Sequence, residues 1–195
     1  MSAKTYRVNE IFYSLQGEGF WTGAPMVFVR LSGCNLQCPF CDTDHASFQE
    51  MMADEILAAV RAAGGPCKRI CLTGGEPSLQ ADESLLEALH QAGFRLHIET
   101  NGTQALSPLL DWITLSPKAG VAGLEGDGTV VLPRADELKL VLSEGIDPAV
   151  WEAFPAAWHF LQPCSTRNTA ETVAYVKAHP RWRLSLQTHK YLAIP

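Results

Sequence analysis

Three cysteines lie within eight positions of the sequence, and their spacing is typical of a metal centre. Cys34, Cys38 and Cys41 fall in the segment SGCNLQCPFCDTDH (32–45). A structural zinc site needs four ligands, and His45 is the residue that would complete a Cys3His set. Three thiolates on a short loop suit a 4Fe–4S cube better, because each binds one corner iron and the fourth iron stays open. An open iron can chelate the amine and the carboxylate that S-adenosylmethionine presents beside a cleavable C–S bond.

Composition and charge predict a single soluble domain over residues 1–195 and exclude several classes of partner. The chain of 195 residues is 47% apolar and 18% charged, which is enough for one sizeable core. Its formal charge of −6 and the lack of a Lys/Arg stripe argue against nucleic acid and anionic membranes as partners. Without an apolar run of membrane length or a signal-peptide pattern, we expect a cytoplasmic protein whose cysteines bind metal rather than form disulfides.

Short, nearly continuous apolar runs predict a parallel sheet that is covered on both faces. They are VFVRL (27–31), RICL (69–72), FRLHIE (94–99), WITL (112–115), LKLVL (138–142), WHFLQ (158–162) and WRLSLQ (182–187). Helical patterns lie between some of these runs, with expected starts and ends at Asp54 and Gly64, Asp82 and Gly93, and Asn168 and Pro180. Two connections are too short or too rich in Gly and Pro for a helix. We therefore predict an α/β fold, an abridged and incomplete (β/α) barrel with six or seven mainly parallel strands and about three main helices.

Polar or glycine-rich clusters directly follow most of the predicted strands. They are SGCNLQCPFCDTDH (32–45, here the cysteine loop), TGGEP (73–77), TNGT (100–103), SPK (116–118), QPCS (162–165) and THK (188–190). Because the carboxyl ends of parallel strands share one mouth of a barrel, these clusters should converge on one site. This convergence indicates an enzyme.

Several of these motifs resemble those of known radical enzymes. The C-x3-C-x2-C spacing with Phe40 before the last cysteine resembles the radical S-adenosylmethionine (radical SAM) superfamily signature, and TGGEP resembles its GGE motif. SLQGEG (14–19), Arg30, ETNGT, LSPK and the final THKYLAIP together resemble the 7-carboxy-7-deazaguanine synthase family, over essentially the whole chain. The resemblance implies a barrel of the radical SAM type.

The same resemblance implies a lyase of the queuosine and 7-deazapurine pathways. Such an enzyme converts 6-carboxy-5,6,7,8-tetrahydropterin to 7-carboxy-7-deazaguanine with loss of ammonia, and it uses a 4Fe–4S cluster, S-adenosylmethionine and Mg2+. The resemblance further implies a homodimer, flavodoxin or ferredoxin as electron donor, and regeneration of S-adenosylmethionine in each turnover. The alternative class is a glycyl-radical-enzyme activating enzyme, which shares the cluster and a reduced barrel but acts on a protein. SLQGEG argues against that alternative.

The resemblance also assigns expected roles to individual residues. The expected cluster ligands are Cys34, Cys38 and Cys41, and the expected Mg2+ ligand is Thr43. The residues expected at S-adenosylmethionine are Phe40, Cys41, Asp42, Gly75, Ser116, Pro117, Lys118, Gln162, Pro163, Cys164 and Ser165. The residues expected at the pterin are Leu15, Gln16, Gly17, Glu18, Arg30, Thr73, His189 and Pro195.

Two of the pterin residues are the candidate catalytic residues. Glu18 would accept from the ring N–H and amino donors, and Arg30 would bind the substrate carboxylate bidentately. The carboxylate of Pro195 would match a second donor pair of the pterin. Several of these residues also have ordinary structural explanations: a surface salt bridge for Arg30, a solvated or structural histidine for His189, a loop hydrogen bond for Thr43, and unremarkable strand-exit loops for SPK and QPCS.

Overall fold

The computed structural model describes residues 4–44, 46–165 and 167–195. His45, the alternative zinc ligand, lies outside these residues. The described residues form a sheet of nine strands in the order β3-β1-β2-β4-β5-β6-β7-β8-β9. The strands are β1 (Tyr6–Leu15), β2 (Pro25–Leu31), β3 (Gln49–Met51), β4 (Arg69–Gly74), β5 (Arg95–Thr100), β6 (Trp112–Leu115), β7 (Ala135–Leu142), β8 (Ala156–Pro163) and β9 (Trp182–Leu184). The helices are α1 (Ala53–Gly64), α2 (Glu83–Gln91), α3 (Thr169–Ala178) and the short α4 (Thr188–Leu192).

The seven predicted strands are all present and run parallel to one another from β2 to β9. Two further strands were not predicted: β1 pairs antiparallel with β2, and β3 pairs antiparallel with β1. Because β3 and β9 are the two ends of the strand order, the sheet does not close. The predicted fold class, an incomplete barrel with three main helices, is confirmed.

The helix ends agree with the sequence prediction except at the start of α1. Its N-cap is Met52, so the prediction of Asp54 as N-cap was wrong. Asp54 lies in the first turn, where its carboxylate interacts favourably with the helix dipole. The start of α2 is confirmed, since the Asp82 side chain accepts from the Leu85 amide. Asn168 is the N-cap of α3, as predicted. None of the helices in the described part of the chain has the length and apolar character needed to cross a membrane.

Side chains alternate along the strands between an apolar outer layer and a polar interior. In β5, Leu96 and Ile98 are fully buried in the core that contains α1 and α2. In β7, Leu138 and Leu140 belong to a second core, which contains Trp182. On the opposite face of these two strands, Glu99 of β5 and Lys139 of β7 line the cavity instead. Period-two alternation in apolar strands therefore places charged groups inside the barrel.

Candidate active site

The predicted site residues line a common cavity of about 880 Å³. Its wall includes every residue expected at the cluster, at Mg2+, at S-adenosylmethionine and at the pterin, with the exception of Pro117. Pro117 is buried between Ser116 and Lys118, and both of its neighbours do reach the cavity. The expected convergence of strand-end loops is therefore confirmed, although the lining alone does not assign a role to any residue.

The cysteine loop presents three free thiols to this cavity. Cys34 and Cys38 are half-buried and Cys41 is exposed. Burial raises the pKa of the Cys34 and Cys38 thiols above its ordinary value. Among residues 4–44, 46–165 and 167–195, no three His, Cys, Asp or Glu side chains converge as a site for a single ion. Thiolates that each bind a different iron of a cube do not need to converge in that way.

A glycine allows the TGGEP motif to lie directly against the cysteine loop. A Cβ on Gly75 would be 2.2 Å from the Gly33 carbonyl oxygen and 3.1 Å from the Cys34 Cβ, so only glycine fits there. The Glu76 amide donates to the same Gly33 carbonyl at 2.9 Å. Three free thiols beside closely packed glycine backbone fit a 4Fe–4S cluster and its S-adenosylmethionine.

The acidic residue of TGGEP connects three of the strand-end loops. Glu76 is buried, and its carboxylate accepts from the Ser78 amide at 3.0 Å and from the Thr100 hydroxyl at 2.7 Å. It also accepts from the Asn101 amide at 2.7 Å, and the Asn101 side chain donates to Asn35 Oδ1 at 3.1 Å. Glu76 therefore fixes the relative positions of the loops that follow β2, β4 and β5.

The SPK segment also presents a half-buried lysine, Lys118, to the cavity. Lys118 Nζ donates to the Ser116 carbonyl at 2.5 Å and to the Ser116 hydroxyl at 2.8 Å. Burial lowers the pKa of Lys118 below its ordinary value.

The interior contains a buried ion network that sequence reasoning missed. Lys139 of β7, with 4% of its side chain exposed, forms ion pairs with Glu18 and, at 2.8 Å, with Glu99. The Gln16 amide donates to the other oxygen of Glu99 at 2.8 Å, and the Gln162 amide donates to Glu18 at 3.1 Å. The loop between β1 and β2 (residues 16–24, here the β1–β2 loop) is thereby joined to β5, β7 and β8.

This network determines the charge of Glu18. Burial by itself would raise the pKa of that carboxyl, but the adjacent Lys139 ammonium holds the pKa below its ordinary value. Burial likewise opposes the charge of Lys139, yet the attraction of Glu18 and Glu99 raises its pKa. Glu18 is therefore ionised at neutral pH and acts as a hydrogen-bond acceptor. The signal available in the sequence was a lysine inside LKLVL, because a charge in a buried strand needs a partner.

Arg30 and Thr43 border two cavities at once. Arg30 Nε donates to Glu10 at 2.7 Å, with 22% of its side chain exposed, so the salt bridge considered as its structural explanation is present. Both residues also line a smaller polar cavity of about 240 Å³, together with Asp42 and Asp44. Arg30 therefore lies in the wall of the main cavity and is already paired with a carboxylate on one side.

The end of the chain crosses the β1–β2 loop. The Thr188 amide and hydroxyl donate to the Gly17 carbonyl at 2.9 and 2.8 Å. Lys190 donates to Asp42 at 2.7 Å, which joins α4 to the cysteine loop. The Ser14 hydroxyl donates to a main-chain oxygen of Pro195 at 2.8 Å. This docking places His189 and Pro195 in the cavity wall.

Comparison with known proteins shows the family to which the chain belongs. The model of the radical SAM superfamily matches residues 28–125. The 7-carboxy-7-deazaguanine synthase of Bacteroides thetaiotaomicron is 53% identical over 188 residues, covering 96% of this chain and 98% of the relative. The enzyme of the same name from Nitratidesulfovibrio vulgaris is 42% identical, covering 98% of this chain and 100% of the relative. The chain belongs to the 7-carboxy-7-deazaguanine synthase family of the radical SAM superfamily.

A solved structure agrees with this family membership. The crystal structure of QueE from Escherichia coli superposes with a TM-score of 0.78 at 30% identity and covers 95% of both chains. The resemblance drawn from the motifs is thus confirmed at the level of family and fold.

Proposed function

We propose that this chain converts 6-carboxy-5,6,7,8-tetrahydropterin to 7-carboxy-7-deazaguanine with release of ammonia, as a lyase of queuosine and related 7-deazapurine biosynthesis. The observation that carries the proposal is the cavity in which three free cysteines and an ionised, Lys139-bound Glu18 face the same space. At about 880 Å³ this cavity lies in the upper part of the range of ligand pockets, roughly 300–1,000 Å³, and has room for a nucleoside and a bicyclic pterin together.

Cys34, Cys38 and Cys41 would hold a 4Fe–4S cluster, which with S-adenosylmethionine supplies a radical able to abstract hydrogen from carbon. The residues that would hold S-adenosylmethionine are Phe40, Cys41, Asp42, Gly75, Ser116, Pro117, Lys118, Gln162, Pro163, Cys164 and Ser165. Of these, Pro117 would act through the shape of the SPK turn, because its side chain is buried away from the cavity.

The pterin would be oriented by charge at its two ends. The ionised Glu18 would accept from the ring N–H and amino donors, and the Arg30 guanidinium would bind the 6-carboxylate with the donors that Glu10 does not use. Leu15, Gln16, Gly17, Thr73, His189 and Pro195 complete the proposed pterin wall. Fixing both ends of the ring holds C6 toward the cluster side of the cavity and excludes water from the reacting carbon.

The remaining expectations concern metal and partners. Thr43 borders the main cavity and the smaller polar cavity, and its hydroxyl, the substrate carboxylate and waters would supply oxygen ligands to Mg2+. Flavodoxin or ferredoxin is the proposed electron donor, and a cytoplasmic homodimer is the proposed form of the enzyme.

The test is an anaerobic assay of the reconstituted protein with reductant, S-adenosylmethionine and 6-carboxytetrahydropterin. We expect 7-carboxy-7-deazaguanine and ammonia in equal amounts, and no turnover of a tetrahydropterin that lacks the 6-carboxylate. A protein that holds the iron–sulfur cluster but forms no deazaguanine contradicts the proposal. Radical transfer to a glycine of a partner protein would favour the glycyl-radical-enzyme activating class instead.

A further inference from the structure

We propose that Glu137 and Ser185 are positioning residues that fix Glu18 by holding the backbone of the β1–β2 loop from outside the cavity wall. The inference rests on the proposed role of Glu18 as the acceptor for the pterin. Neither Glu137 nor Ser185 lines the cavity, so each would act through the loop rather than by touching a ligand.

Glu137 is buried and binds the loop immediately after Glu18. Its carboxylate accepts from the Phe20 amide at 3.0 Å. Gly19 has a φ of 63°, and a Cβ at that position would be 1.9 Å from Glu137 Oε1. The loop therefore needs glycine at this position both for its backbone conformation and for the close approach of the carboxylate.

Ser185 closes a ring of hydrogen bonds around Glu18. Its hydroxyl oxygen accepts from the Gly19 amide at 3.0 Å, and the hydroxyl donates to Gln162 Oε1 at 2.8 Å. The Gln162 amide then donates to the Glu18 carboxylate at 3.1 Å. The backbone that follows Glu18 and the carboxylate of Glu18 are thus tied to the same serine. Movement of the loop would disturb both ends of this ring.

Aromatic packing also anchors the β1–β2 loop on the strands of the sheet. We call Phe20, Trp21, His97, Trp112 and Trp158 the aromatic floor. Within it, the Phe20 ring lies 5.1 Å from Trp112 and 5.0 Å from Trp158, and Trp21 lies 5.0 Å from His97. Two side chains of the loop are therefore anchored on β5, β6 and β8. Glu137 and Ser185 supply the polar contacts of this anchor and thereby fix the position of Glu18 in the cavity.

A glutamine at position 137 should preserve most of this arrangement. Burial raises the pKa of Glu137 to about 7, so its charge varies near neutral pH while one oxygen remains available to the Phe20 amide. Glu137→Gln keeps such an acceptor oxygen, whereas Glu137→Ala leaves the Phe20 amide without this partner. The two variants separate the hydrogen bond from the charge.

The first test is a comparison of KM values in the anaerobic assay. Loss of the hydrogen bond between Glu137 and the Phe20 amide predicts that Glu137→Ala raises KM for the pterin about tenfold while KM for S-adenosylmethionine changes less than about twofold. Glu137→Gln should stay within about threefold of the wild type, and Ser185→Ala should fall between the two variants. The matched control is Asp136→Ala, because Asp136 lies on the same strand and accepts the Ile113 amide at 2.8 Å. An equal rise in both KM values for Glu137→Ala, or the same pterin effect from Asp136→Ala, would overturn the proposal.

The second test does not depend on turnover. Hydrogen exchange of the ligand-free protein should be faster in residues 16–24 of Glu137→Ala and Ser185→Ala, and unchanged in β6, where Asp136→Ala should act instead. Unchanged exchange in residues 16–24 would refute the anchoring role. If the wild type formed no deazaguanine but exchange responded as stated, the proposed function would fail while the anchor itself stood.

Discussion

The cysteine loop and the β1–β2 loop face the same cavity, but the chain holds them very differently. The first part of the cysteine loop is held by hydrogen bonds, from the Glu76 amide to Gly33 and between Gln37 and Glu125. Its last described part is open: Cys41 and Asp42 are exposed, and an ion pair from Lys190 to Asp42 joins this part to α4. The β1–β2 loop closes on itself through hydrogen bonds from the Gln16 amide to Ala24 and from the Gly23 amide to Gln16, and the buried Lys139 pairs with its partly buried Glu18. Buried partners from three strands define its shape.

This difference matches the roles proposed for the two loops: the cysteine loop would serve the radical chemistry, and the β1–β2 loop would serve recognition of the pterin. The cysteine loop contributes three thiols whose spacing is local in the sequence, and the cofactor would supply the reactivity. The β1–β2 loop contributes a charged acceptor whose position depends on the folded barrel. Changes in the cysteine loop should therefore remove activity without affecting stability. Changes in the residues that hold the β1–β2 loop should reduce both activity and stability.

The largest effect is expected for the cysteines. Replacement of Cys34, Cys38 and Cys41 together by alanine should abolish deazaguanine formation and the binding of iron and sulfide. The melting temperature of the metal-free protein should change by less than about 2 °C, because half-exposed side chains contribute little to folding. Iron and sulfide analysis and calorimetry check the two statements. A large loss of stability in the metal-free variant would contradict the contrast between the loops.

Lys139→Met should reduce both activity and stability. It leaves the Glu18 and Glu99 carboxylates without their cation in a buried site, and breaking a buried ion pair costs about 3–5 kcal/mol. We expect a melting temperature lower by about 10 °C and a pterin KM raised about 100-fold. Lys177→Met, which removes an exposed lysine from α3, is the matched control and should leave both quantities unchanged. If Lys139→Met kept the wild-type KM for the pterin, the ion network would have no role in pterin binding.

A smaller and more selective effect is expected at the cysteine loop for Thr43→Ala. If its hydroxyl is a Mg2+ ligand, the variant should lose most of the stimulation by Mg2+ while keeping its iron content and its KM for S-adenosylmethionine. Thr129→Ala, an exposed threonine outside both cavities, serves as control. Unaltered Mg2+ dependence in Thr43→Ala would leave Thr43 with the loop hydrogen bond alone.

The smallest effect concerns the pH dependence of stability around the β1–β2 loop. Burial, aided by Arg69, lowers the pKa of His97 from 6.5 to about 4, so its contribution to stability is lost as pH falls through this window. Burial raises the pKa of Glu137 from 4.5 to about 7, so its contribution is lost as pH rises through that window. The melting temperature of His97→Gln minus that of the wild type should increase as pH falls to 5. The same difference for Glu137→Gln should increase as pH rises to 7. Parallel slopes for the two variants would contradict these assignments.

Most of the parallel sheet could be predicted because its strands are continuous apolar runs. β1 could not, since a register shift between Val8 and Glu10 breaks the alternation that would have marked YRVNEIFYSL as a strand. β3 is a three-residue edge strand without an apolar pattern. The N-cap of α1 was misplaced by two residues because Met52 has no polar side chain to mark it.

The candidate site shows the same division between local and distant signals. The cysteine spacing and the TGGEP motif are local, and both could be recognised directly. Lys139 meets Glu18 across 121 positions of sequence, so nothing near either residue indicates the pair. Glu137 and Ser185 were missed for the same reason, because their role depends on which strands lie beneath the β1–β2 loop.

The most direct measurement counts product against cofactor in one anaerobic reaction. With excess 6-carboxytetrahydropterin and limiting S-adenosylmethionine, the account predicts several molecules of 7-carboxy-7-deazaguanine for each molecule of S-adenosylmethionine consumed, since the family resemblance implies that the cofactor is regenerated in each turnover. Absence of deazaguanine from protein that contains iron and sulfide would contradict the central claim. One 5′-deoxyadenosine released per product would contradict regeneration.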